Sequence, residues 1–178
     1  IGDIPIFVDF DSADVWGHRE LFKLGEDGHP TVVAGVPPDA FSATGQRWGN
    51  PVYDWRTHEA EGFAWWTRRL HHTLSLVDEV RIDHFRGFEA VWEIPPHSQT
   101  AEDGWWTPGP GQALFDAAQL RGRHERILVE DLGIITPEVH GLRDDLGFAG
   151  MNVLQFAFGD KADNAYLPHN HVRQSVLY

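Results

Sequence analysis

Val80-Arg81-Ile82-Asp83-His84-Phe85-Arg86-Gly87 is a short apolar run that ends in a carboxylate, and Ile127-Leu128-Val129-Glu130-Asp131-Leu132-Gly133 repeats that arrangement. Strands in the middle of a parallel sheet are covered on both faces, so they read as near-continuous apolar stretches rather than alternating ones. Each run therefore predicts a buried parallel strand with a charged side chain at its carboxyl end. In an α/β barrel that end is where chemistry is placed.

Working outward, Ile4 to Phe10 predicts a strand with Pro5 near its start, where strands tolerate proline. Ser12 or Asp11 then caps a short helix through Val15, Trp16 and Leu21, and Gly25-Glu26-Asp27-Gly28 is a turn. Asp54 caps a helix running to about Val77. Its apolar stripe is Phe63, Trp66, Leu70, Leu74 and Val77, with Arg68, Arg69, His71 and His72 mostly off it. Gln112 to Leu120 predicts a short helix with Leu114, Phe115 and Ala118 inward. Thr136 caps another helix, Pro137 takes its first position and Gly147 ends it. Asn152 to Phe158 predicts a fourth strand, a polar loop follows over Asp163 to His171, and Val176 opens a fifth strand. Residues 34 to 52 and Glu89 to Gly111 are long and aperiodic, and both read as loops. Phe41, Trp48 and low charge argue that the first is ordered over a site.

Strand, loop, helix, strand is the recurring order, which means parallel pairing with right-handed crossovers and an α/β class. A doubly wound sheet and a barrel both fit. Carboxylates at successive strand ends favour the barrel, because an open sheet places its site at one switch point. The 178 residues suffice for one domain. A complete barrel takes about 250. The expectation is that residues 1–178 are part of one (β/α)8 TIM barrel domain, its central strands with loop insertions, continuing at both ends.

The net charge of −13, from 27 acidic and 14 basic residues, excludes a nucleic-acid backbone as the natural partner and offers no attraction to anionic lipid. A neutral substrate fits. With no cysteine there is neither a disulfide nor a thiolate metal site, which fits the cytoplasm. No segment resembles a membrane span or a signal peptide. The eleven histidines lack the helical pair at spacing four that a zinc helix carries, so no metal is expected. A phosphate-binding glycine loop and a Gly-X-Ser-X-Gly elbow are both missing, and no cofactor is expected. Oligomeric state stays open. The eight tryptophans are unusual, with Trp48, Trp55, Trp92, Trp105 and Trp106 in loop-like surroundings. Singly they read as packing residues. As a set they suit sugar rings, whose apolar faces lie flat on indoles.

Arg81, two residues before Asp83 on the same strand, points to the same side. A guanidinium there favours the ionised form of Asp83 and orients it, as a nucleophile requires, although a structural Arg–Asp pair has the same pattern. Glu130 follows three apolar residues, a setting that raises a carboxyl pKa and suits a general acid, or else it is a charge at the sheet edge. Asp131 points the other way and reads as a helix or turn cap. Asp3 joins the site if its strand is adjacent, and otherwise is a solvated turn residue. His84 is placed to bond a substrate hydroxyl. Two carboxylates from different strands are the minimum equipment for cleaving a glycosidic bond. The side chains of Asp83 and Glu130 are expected to converge on one open cavity.

Four motifs, in order along the chain, carry a likeness to a known family. They are Gly2-Asp3-Ile4-Pro5-Ile6; Pro37-Pro38-Asp39 with Gly45-Gln46-Arg47-Trp48-Gly49-Asn50-Pro51; Arg81-Ile82-Asp83-His84-Phe85-Arg86-Gly87; and Glu130-Asp131-Leu132-Gly133. The sequence resembles the 4-α-glucanotransferases of glycoside hydrolase family 77, the amylomaltases and plant disproportionating enzymes. Arg-X-Asp-His alone would also suit the wider α-amylase superfamily. The resemblance implies a retaining transfer between an α-1,4-glucan donor and acceptor, with an α-amylase-type hydrolase as the alternative. It implies Asp83 as nucleophile and Glu130 as acid/base, with Arg81, Asp3 and His84 supporting. It implies Asp39, Gln46, Trp48, Asn50 and Phe156 as substrate-binding, with the Asp39 segment in a loop over the acceptor side. Position 40 is Ala where some members carry Tyr. The family's third catalytic carboxylate lies in a Thr-His-Asp-Asn motif beyond Tyr178, so the isolated 178 residues are expected to be inactive.

Overall fold

The computed structural model describes residues 1–40, 42–120, 124–159, 163–172 and 174–178. The chain begins with β1 (Gly2–Pro5) and the short helix α1 (Ala13–Gly17), followed by β2 (Val33–Val36) and β3 (Gln46–Pro51). Helices α2 (Trp55–Ala60) and α3 (Ala64–Leu76) lead into β4 (Val80–Asp83), β5 (Ala90–Ile94) and β6 (Trp105–Pro108). Then come α4 (Gln112–Ala117), β7 (Ile127–Val129), α5 (Pro137–Asp145), β8 (Gly150–Asn152) and β9 (Ser175–Leu177).

The two apolar runs are neighbours. Parallel strands lie in the order β1-β4-β7, with Asp3 opposite Arg81 and Ile82 opposite Val129. Beyond β7, Leu128 pairs in parallel with Ala149, and β8 pairs in parallel with β9. Val80, Ile82, Ile127 and Val129 are fully buried in one core with Trp66, Leu70 and Leu74 of α3 and with Leu114 and Phe115 of α4. Burying one such side chain is worth about 1.5–3 kcal/mol, so this core holds the strand ends that carry the carboxylates.

A second sheet is antiparallel, in the order β3-β2-β5-β6, and has a small core of its own formed by Val33, Ile94 and Ala101 with Trp92 against them. It corrects the two predicted loops: residues 34–52 contain the β2–β3 hairpin, and Glu89 to Gly111 contains β5 and β6. The exposed run Gln46-Arg47-Trp48 and the Gly, Asn and Pro of β3 give no period-two signal, because ladder pairing and not side-chain burial defines that strand. Phe41, used above to argue for order, lies outside the described residues.

Other expectations shift for local reasons. The first strand stops at Pro5 rather than Phe10. Ile6, Phe7 and Val8 are buried, but the carbonyls of Ile6 and Val8 accept from the Tyr53 hydroxyl at 2.7 Å and the Asn50 amide at 2.9 Å rather than from a strand. Ser12 Oγ caps α1 by accepting from Val15 N–H at 3.2 Å. Asp54 caps α2, accepting from Arg56 and Thr57 N–H. The long predicted helix is broken into α2 and α3 at Gly62 and Phe63, both left-handed at φ +66° and +54°. Thr136 precedes α5 without a side-chain capping bond, so Pro137 and the backbone set that start. The predicted fourth strand shrinks to β8, after which Leu154–Ala157 forms a turn of 3₁₀ helix.

Candidate active site

Asp83 is the last residue of β4 and Glu130 the first after β7, and adjacent pairing sets their backbones side by side: Glu130 N–H donates to Ile82 O at 2.9 Å, and Phe85 N–H to Glu130 O at 3.1 Å. Arg81 joins Asp83 to β1. Its Nη2 donates to Asp83 Oδ1, and its Nη1 to Asp3 Oδ1 at 2.8 Å. Its Nε approaches Met151 Sδ at 3.3 Å. Burial pulls the Arg81 pKa down, but the hydrogen bonds and charges of Asp3 and Asp83 outweigh it and the net shift is upward.

Glu130 is held differently. Oε2 accepts the His84 N–H at 2.9 Å, and Oε1 accepts the Leu132 N–H at 2.7 Å. Burial pushes its carboxyl above the ordinary glutamate value, and the nearby Asp83 charge adds to this. The Leu132 and His84 N–H groups and the Arg81 charge pull the other way without cancelling it. His84 aims its N–H at Glu130 by taking a left-handed backbone at φ +51°, which costs a non-glycine residue about 1–2 kcal/mol. Burial, helped by the Arg86 charge, lowers the His84 pKa to about 3, so the ring is neutral at neutral pH. Its Nε2 is buried without a hydrogen-bond partner among the described residues.

Two adjoining cavities meet here, where the sequence predicted one. Glu130 lines a cleft of about 720 Å³, and Asp83 lines a smaller one of about 180 Å³. Trp48 and His84 are walls of both, with their rings edge to face at 4.6 Å.

The other predicted residues fall around these cavities. Asp39 and Gln46 line the larger one. Asp39 Oδ1 accepts the Ser42 N–H at 2.8 Å, and Gln46 Oε1 accepts the Trp48 indole N–H at 3.1 Å. Asn50 lines the smaller cavity, with its amide N–H used on Val8 O. Phe156 lines the larger cleft from the 3₁₀ turn, edge to face with Tyr166 at 5.5 Å. Asp3 is exposed and touches the site through Arg81. Asp131 is no cap: it accepts from Arg143 Nη1 at 2.6 Å and from Met151 N–H at 2.9 Å, forming a buried pair behind the site. Trp106, one of the tryptophans noted in the sequence, also lines the cleft, as do Arg86 and Tyr166, which were not singled out there. Arg86 stands three residues after Asp83 in the same motif, the one signal that could have flagged it. Among the described residues, no group of three or more His, Cys, Asp or Glu side chains is placed to hold a metal ion.

The chain is similar to known proteins in sequence and in fold. The family model for glycoside hydrolase family 77, described as 4-alpha-glucanotransferase, matches residues 1–178. The 4-alpha-glucanotransferase of Thermus thermophilus is 60% identical over 171 residues, covering 96% of this chain and 34% of that protein. The chloroplastic/amyloplastic 4-alpha-glucanotransferase of Solanum tuberosum is 51% identical over 178 residues, covering 100% of this chain and 31% of that protein. The structure of an amylomaltase from Streptococcus agalactiae in complex with acarbose superposes with a TM-score of 0.94 at 42% identity, over 99% of this chain and 36% of that one. The chain thus spans about a third of the length of the curated relatives it matches. From its full-length family match and these identities, the chain belongs to the 4-alpha-glucanotransferases of glycoside hydrolase family 77.

Proposed function

We propose that the protein containing this chain transfers segments of α-1,4-glucans between a donor and an acceptor glucan by a retaining double displacement. The observation that carries this reading is the contrast at two neighbouring strand ends: an arginine-held, half-exposed Asp83 beside a partly buried Glu130, gripped by two backbone N–H groups, whose pKa is raised. Glu130, protonated, gives its proton to the glycosidic oxygen as that bond breaks. Asp83 attacks the anomeric carbon and forms a covalent glucosyl ester. Glu130, now a base, takes the proton from the 4-hydroxyl of the acceptor, which attacks the ester and releases Asp83. Asp39, Gln46, Trp48, Asn50 and Phe156 are the substrate contacts in this reading. The β3 edge with Trp48, standing over both cavities, is the shield that favours a glucan acceptor over water.

The parallel order β1-β4-β7, continued through Ala149 to β8 and β9, supports residues 1–178 as part of one (β/α)8 barrel domain. An acidic surface supports a neutral glucan over nucleic acid as partner, and a chain without cysteine fits a reducing compartment such as the cytoplasm. The test is incubation of the full-length protein with maltotriose. Glucose together with maltodextrins longer than the substrate is the expected result. Shorter products alone overturn transfer in favour of α-amylase-type hydrolysis.

A further inference from the structure

We infer that Arg86 is the positioning residue for Glu130: its guanidinium ties together the two backbone segments whose N–H groups grip the Glu130 carboxylate. The inference rests on the proposed role of Glu130 as acid/base. Arg86 is only 5% exposed, yet it has little to compensate its charge. Glu89 Oε2 lies at 3.5 Å, and Nε has no partner among the described residues. A buried cation with so weak an ion pair is costly, which calls for a return elsewhere.

The return is a clamp. Arg86 sits in the 3₁₀ turn Phe85–Phe88, which begins directly after His84, the donor to Glu130 Oε2. Its Nη1 donates to the carbonyl of Ile134 at 2.5 Å, two residues beyond Leu132, the donor to Oε1. One guanidinium therefore spans both donor segments. The segment it holds on the Leu132 side has little packing of its own. Gly133 is exposed and left-handed at φ +88°, a Cβ there would meet nothing within 4 Å, and Ile134 is 46% exposed. The Trp106 ring of β6 lies under the guanidinium, 3.9 Å from its carbon, so the antiparallel sheet is drawn into the same clamp.

The consequence is a pH effect. The Leu132 N–H favours the ionised carboxylate, so slackening that loop raises the Glu130 pKa further. Several charged or titratable groups face Glu130. They are Asp83 and Arg81 from β4, with Asp3 behind Arg81, neutral His84 at the β4 turn, and Tyr166 from the segment after β8. Of these, none bonds to the Ile134 carbonyl, so removing Arg86 leaves their contacts in place.

The experiment compares full-length parent, Arg86→Met and Arg86→Lys through the pH dependence of kcat/KM, with an NMR titration of the Glu130 carboxyl carbon alongside. Arg86→Met is expected to lower kcat/KM roughly tenfold through misplacement of the acid and to move the basic limb and the NMR midpoint upward. Arg86→Lys, which still donates to Ile134 O, returns both most of the way. If Arg86→Met fails to fold, Trp106→Leu replaces a half-exposed ring and shifts the midpoint the same way by less. A midpoint in the substituted proteins that coincides with the parent's overturns the inference, even if activity falls. A parent that yields only shorter products from maltotriose sinks the transfer reading alone, since hydrolysis uses the same acid and the midpoints can still be compared.

Discussion

Arg81 with Asp83 and Arg143 with Asp131 are both arginine–aspartate pairs, and they differ in what they leave open. Arg81 and Asp83 have side chains 27% and 43% exposed, whereas Arg143 and Asp131 are at 9% and 5%. Asp131 spends its oxygens on α5 and on the start of β8, so all its bonding fastens protein to protein. Asp83 is steadied by one arginine and keeps an accessible carboxyl on a cavity wall. The same two residue types thus make a rivet in one place and an open carboxylate on a cavity wall in the other. What separates them is how much of the carboxylate is left for something outside the chain.

The comparison can be broken at its strongest point first. Asp83→Asn is expected to reduce transfer on the order of 10⁴-fold or more while leaving the melting temperature near the parent's, measured by product formation and calorimetry. Loss of folding with Asp83→Asn would make it a structural pair like the other. Next, Arg143→Met strands a buried aspartate, and urea unfolding is expected to show a loss of about 3–5 kcal/mol. Arg81→Met should do the reverse. It lowers kcat by roughly 10²-fold through a misplaced nucleophile. It costs stability less than about 1 kcal/mol, because that pair is open to solvent.

The smallest effect concerns Glu130. Its raised pKa keeps it protonated to higher pH, so the basic limb of kcat/KM lies above the ordinary glutamate value of 4.5. Glu130→Gln removes that limb. A limb at or below the ordinary value would sink the reading of Glu130 as the acid.

The parts legible in the sequence are those where burial alone dictates pattern. Val80–Ile82 and Ile127–Val129 are covered on both faces and read as strands. The stripe Phe63, Trp66, Leu70 and Leu74 is buried as its spacing demands. The β2–β3 and β5–β6 hairpins escaped because Gly35, Gly49, Pro51 and Pro108 lower strand propensity, and ladder pairing overrides it. Gly62 could have signalled the helix break, yet the predicted helix runs through it to Val77, and the left-handed Phe63 after it carries no sequence signal. The pairing of Asp131 with Arg143 is a tertiary contact across twelve residues, which no local pattern announces. Likewise the left-handed backbone of His84, which walls both cavities, carries no signal in the sequence.

The small cluster of Val33, Ile94 and Ala101 with Trp92 has a consequence for how such a protein can diversify. Ala34 and Val91 of the same sheet belong to the main interior, so the sheet is anchored at its base while Val33, Ile94 and Ala101 pack separately, and change is tolerated best at the separately packed end. Variation can then collect at that end while the parallel strand ends that carry Asp83 and Glu130 stay as they are.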